Sequence, residues 1–148
     1  RRRPLMRQAW DEADLFAVPL LSGARGIGQV IRPLEAGAFC LMTLRDDRAG
    51  PGALAPVALS EVVAILAIDA ASLDDGTWEV LGFEMLPRTR TLVDDRTPPD
   101  TLHDPAVVEA FLSACHGLYP WDGFGSAAVF DGFLLPGRPR PEAARRGS

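Results

Sequence analysis

Lysine is absent from this 148-residue sequence, and all 15 of its basic residues are arginine. That removes a P-loop, whose grip on phosphate needs a lysine. Cysteine is scarce as well, occurring only as Cys40 and Cys115, far from the C-x-x-C spacing of zinc or redox sites. Both lie in apolar stretches that suit buried, reduced thiols. The two histidines, His103 and His116, fall in no H-x-E, H-E-x-x-H or E-x-x-H pattern, so no metal and no cofactor is expected. Long apolar runs are missing too. The longest, residues 62–68, is far short of the ~20 residues of a membrane span. Pro4, Arg7, Asp11 and Glu12 interrupt the N-terminal stretch before any secretory apolar region. A soluble, cytoplasmic chain with no membrane partner is expected.

Positive charge is in short supply in the body of the chain. The net charge is −5, which argues against nucleic acid as the main partner, because phosphate binding wants a basic face. Arg1, Arg2 and Arg3 sit at one end and Arg138, Arg140, Arg145 and Arg146 at the other, so the region between them is more acidic still. Acidic pairs recur there: Asp46-Asp47, Asp74-Asp75 and Asp94-Asp95. Each pair is either a solvated turn or part of an acidic surface that steers a basic partner.

Catalytic patterns find no support. Cys115-His116 are neighbours on a predicted helix, where adjacent side chains diverge by about 100° and cannot form a dyad. The aspartate pairs sit in hydrophilic turns that would not raise a carboxyl pKa. No serine occupies a G-x-S-x-G elbow. No catalytic residue is assigned, and a hydrolase using Cys115 or the carboxylates is the least favoured reading.

What is present is a series of short strand-like runs. "DLFAVPL" (14–20) carries Leu15, Phe16 and Val18, with Pro19 implying an edge or bulged strand. "LSGARG" supplies a turn, and "IGQVI" resumes the strand until Pro33, with Gly28 marking a bulge or a close backbone approach. The order Gly23-x-x-Gly26-x-Gly28 reverses the dinucleotide fingerprint and leads into β-branched residues, so these glycines make a hairpin. Residues 38–46 form a third strand, and Gly50, Pro51, Gly52 and Pro56 break the loop after it. Residues 62–68 read as a buried strand. Asp75-Gly76 makes a turn before a strand alternating Trp78, Val80 and Gly82.

An exposed connection, "PRTRTLVDDRTPPD", leads to the clearest helix. Asp104 is its N-cap and Pro105 its first residue, Val107, Val108, Phe111, Leu112 and Cys115 recur at helical spacing, and Gly117 ends it. The closing "YPWDGFGSAAVFDGFLLPG" is aromatic and irregular, with a short helix expected within residues 126–135. Its Trp121 and Phe124 either cap the open end of the sheet or contact a partner. The expected architecture is an α+β, β-rich domain: a strongly bent antiparallel sheet or SH3-like partial barrel with one C-terminal helix and an irregular aromatic tail. Residues 1–13 are expected as an arm, 14–136 as a single globular domain and 137–148 as a polar, flexible tail.

Together, "DLFAVPLLSGARGIGQVI", "GTWEVLG" and "YPWDGFGSAAVFDGFLLPG" resemble the bacterial immunity protein 26 family over most of residues 14–136. The resemblance implies a β-rich, partly barrel-like fold and a non-enzymatic role, binding a cognate toxin encoded alongside and neutralising it by occlusion. It carries no catalytic residue. The long apolar "VALSEVVAILAIDA" and the arginine-rich ends depart from the family pattern. From charge alone, Asp46, Asp47, Asp74, Asp75, Asp94 and Asp95 are the candidate contact residues for the toxin, joined by Trp121 and Phe124. The alternative is a small-barrel module binding nucleic acid or a peptide, with Trp121 and Phe124 as stacking surfaces. Toxin identity and oligomeric state are not encoded in any motif.

Overall fold

Runs of β-branched and aromatic residues, punctuated by glycine and proline, build five antiparallel strands in the computed structural model, which describes residues 7–88 and 101–145. These are β1 (Asp14–Pro19), β2 (Arg25–Pro33), β3 (Gly37–Asp46), β4 (Val62–Asp69) and β5 (Val80–Phe83). They form one sheet in the order β4-β3-β2-β1-β5. The first four strands make a meander. The chain then crosses to the far side through the short helix α1 (Ala71–Asp75) and adds β5 beside β1. The sheet is open: β4 and β5 occupy its two edges. It is the antiparallel sheet expected, not a closed barrel.

Register shifts at Leu15/Phe16, Gly26/Gly28, Val30/Arg32 and Met42/Thr43 interrupt the ladders, and such bulges bend a sheet and increase its twist. Gly28 supplies both features expected of it. A β-carbon there would lie 2.7 Å from Phe16 Cζ and 2.9 Å from Met42 Sδ, so the backbone approaches these side chains too closely for any larger residue. Gly23 holds φ +90° in the turn between β1 and β2, where only glycine is unstrained.

Both faces of the sheet are covered, which explains the near-continuous apolar runs. On one face Phe16, Val30, Cys40, Met42 and Ile68 pack under the helix α2 (Pro105–Cys115) and an aromatic group around Phe111, Trp121 and Phe130. On the other, Leu15, Ile27, Leu41 and Val62 pack with Ala53, Val57 and Leu135.

Several expectations are narrowed or corrected. Of the two readings of Pro19, edge or bulged, the second holds: β1 lies between β2 and β5, and its pairing with β5 is bulged at Leu15/Phe16. The proline is tolerated because it is the last residue of β1, beyond the stretch paired with β5. The loop after β3 is not irregular: Asp47–Leu54 and Leu59–Glu61 form 3₁₀ turns, kinked at Gly50. Arg45 holds this segment by donating to the carbonyls of Ala53, Ala55 and Pro56 and to both Glu61 oxygens. Trp78 precedes β5 rather than alternating within it. It is buried and stacks on Phe16 at 5.4 Å.

The described parts of the expected arm and tail are tied down. Gln8 hydrogen-bonds Leu73, Trp78 and Val80. Beyond residue 136, Arg138 donates to the Leu59 carbonyl, Arg140 pairs with Asp131, and Pro120 bridges to Arg145. The short helix expected near the end is α3 (Ala128–Asp131). No helix among the described residues is long and apolar enough to cross a membrane.

Candidate protein-binding face

Helix α2 starts where the sequence requires. Asp104 accepts a 2.8 Å bond from the Ala106 amide, and Pro105 fills the first helical position, where its missing N–H costs nothing. The apolar stripe Val108, Phe111, Leu112 and Cys115 faces the core. That periodicity leaves Ala106, Glu109 and Ala110 looking outward, each exposed or half-buried.

Two grooves flank this outward ridge, and Ala106 and Glu109 line both. The first, about 520 Å³, is bounded by Asp69 at the end of β4, Ser72 of α1, Leu102, Asp104 and Glu109. The second, about 200 Å³, is apolar, formed by Pro19, Leu20 and Leu21 from the β1–β2 turn with Ala110, Ser113 and Tyr119. The Leu21 amide donates to Ser113 Oγ at 3.1 Å, holding the turn against the helix. Leu21 itself is 67% exposed.

The carboxylates of the first groove are positioned by hydrogen bonds rather than by cations. Asp69 accepts from the Ala71 amide, and Glu109 accepts the Trp78 indole N–H at 2.8 Å. None of Asp69, Asp104 and Glu109 has an ion pair with a described residue. Several other acids are ion-paired: Asp47 and Glu79 share Arg25, Glu61 takes Arg45, and Asp131 takes Arg140. Three carboxylates without an ion pair to a described residue therefore line this one groove. No group of three His, Cys, Asp or Glu residues among those described is placed to hold a metal ion.

The sequence-predicted residues are dispersed. Asp46 caps the 3₁₀ segment after β3, and its bond from the Arg48 side chain holds its carboxyl below the ordinary range. Asp47 is held low by the Arg25 amide and guanidinium. These two close one end of β3. Helix α1, with Asp74 and Asp75, departs from the other end, where Asp69 pairs with Gly37. Asp74 accepts from the Trp10 indole and pairs with Arg7. Asp75 is exposed, and bonds from Thr77 lower its pKa. Asp74 and Asp75 border a groove of about 360 Å³ that shares Asp69 with the acidic groove on α2. The four described aspartates thus do not share one site: Asp74-Asp75 adjoins the groove and Asp46-Asp47 does not, while Asp94 and Asp95 lie outside the described residues.

Trp121 is 1% exposed, and its indole donates to Asp131 at 2.9 Å. It is a core residue and presents no stacking surface. Phe124 is 43% exposed, with its ring 5.9 Å from that of Tyr119. Cys115 is buried, which pushes its thiol up to about 12, so it carries no thiolate at neutral pH.

Asp69, Asp104 and Glu109 were missed as a group because Asp69 is far from the other two in sequence. Their only signals were separate ones: an acid closing an apolar run, an N-cap, and a lone charge between core positions of a helix. Fold and face together define a small α+β domain with an acidic, partly apolar surface built on one helix. Comparison with protein-family models, with curated proteins and with solved structures finds no match.

Proposed function

We propose that this chain is a non-enzymatic immunity protein that binds a cognate bacterial toxin in the cytoplasm and neutralises it by occlusion. The observation that carries this reading is the cluster of carboxylates with no ion pair to a described residue, Asp69, Asp104 and Glu109, beside an apolar groove that shares Glu109. Protein interfaces combine these two elements: charge steers the encounter, and a desolvated apolar pocket holds the complex. The motif resemblance to the immunity protein 26 family points the same way. A negative face disfavours phosphate backbones, and burial of Trp121 removes one of the two aromatics that a stacking platform would use.

The test is a pull-down of the full chain against the toxin encoded beside it, with a growth-rescue assay in cells expressing that toxin. Co-purification with rescue supports the reading. A verified active toxin that neither binds nor is neutralised overturns it.

A further inference from the structure

The two grooves along α2 describe their occupant more narrowly than charge does. The acidic groove has Asp69, Asp104 and Glu109 on its walls with no cation from the described residues. The apolar groove lies beside it, sharing Glu109, and is walled by Leu20, Leu21, Ala110 and Tyr119. It is preformed, because Ser113, 1% exposed, receives the Leu21 amide and so fixes the turn to the helix.

We infer that the segment docking on this face is basic and amphipathic, its cations lying along Asp69, Asp104 and Glu109 while one aliphatic side chain seats between Leu21, Ala110 and Tyr119. This rests on the toxin-binding reading and deepens it by specifying which part of the toxin is recognised. A purely basic segment leaves the apolar groove wet and Leu21 exposed. A purely apolar one leaves the carboxylates desolvated and unpaired, which is costly. Only an amphipathic cation satisfies both, and a helix with apolar residues at i, i+3, i+4 and i+7 presents that pattern.

The test uses the full chain with two ligands: the neighbouring toxin, and a labelled Leu–Lys amphipathic peptide of roughly 18 residues, long enough to be helical. An all-Lys peptide and a Leu–Glu peptide are its controls. The variant Asp69→Asn/Asp104→Asn/Glu109→Gln removes the charge but keeps each side-chain oxygen that accepts the Ala71, Ala106 and Trp78 bonds. Leu21→Ser trims an exposed side chain. The expected result is preference for Leu–Lys over both controls. The charge variant should lose about tenfold for toxin and peptide alike, and Leu21→Ser several-fold, with all-Lys binding unchanged by Leu21→Ser. A toxin bound equally by wild type and both variants overturns this inference and leaves the immunity reading standing. Peptide binding with the expected dependence but no toxin binding keeps the basic amphipathic occupant and overturns the immunity reading. Equal binding of Leu–Lys and all-Lys, or no peptide binding, overturns the inference.

Discussion

Gly28, Trp78 and Trp121 show how single residues set this architecture. Gly28 faces the Phe16 ring and the Met42 sulfur with no room for a β-carbon. Gly28→Ala is therefore expected to cost about 1–3 kcal/mol through overpacking, read as a lower denaturation midpoint with unchanged slope. Trp121 packs against Phe111 and Phe130 and donates to Asp131. Trp121→Ala should cost about 3–5 kcal/mol, seen in thermal melts, with any loss of binding following the loss of fold. The glycine was legible in sequence because its neighbours on both sides are strand formers. Trp121 was legible only as one of two alternatives, packing over the sheet's open end or contacting a partner, and the packing of distant aromatic residues around it decides for core.

Elements divide along the same line. Helix α2 was read correctly from cap to stop, since N-cap, first-turn proline and apolar spacing are all local. Asp104→Ala should destabilise the protein by about 1 kcal/mol while Asp104→Asn leaves it nearly unchanged, measurable by chemical denaturation. The 3₁₀ segment behind β3 was invisible because its order comes from Arg45, which reaches carbonyls up to 11 residues ahead and a carboxylate at Glu61. Arg45→Lys keeps the charge but loses the forked geometry. It is expected to cost about 2 kcal/mol and to make residues 47–61 the first site of limited proteolysis.

At the scale of the whole molecule, stability should respond to acid in two stages. Burial lowers the pKa values of His103 and His116. The unfolded chain then binds those protons more tightly, so the rings' contribution is full above about pH 6.5 and fades as pH falls through their folded values. Asp46, Asp47 and Glu61 are held low by Arg48, Arg25 and Arg45, and their contribution is lost only below about pH 4. A melting-temperature profile should show a shallow decline below about pH 6.5 and a steeper one below about 4. Replacing both histidines with asparagine should remove the first. A single-stage profile in the native protein would contradict this assignment.

The sequence by itself determined what depends on neighbours along the chain. It set the antiparallel strands, the hairpin at Gly23, the start and stop of α2, and the acidic balance of the body. Those follow from backbone sterics, capping and periodicity, all of which act within a few residues. The tertiary structure alone decided which charges pair among the described residues. Asp46, Asp47 and Asp74 meet arginines, while Asp69, Asp104 and Glu109 (Asp69 far from the other two in sequence) line one groove with no ion pair to a described residue, beside an apolar groove. Ion pairing and groove shape are properties of distances in space. The path of β4, α1 and α2 across the sheet sets those distances, and no local pattern encodes them.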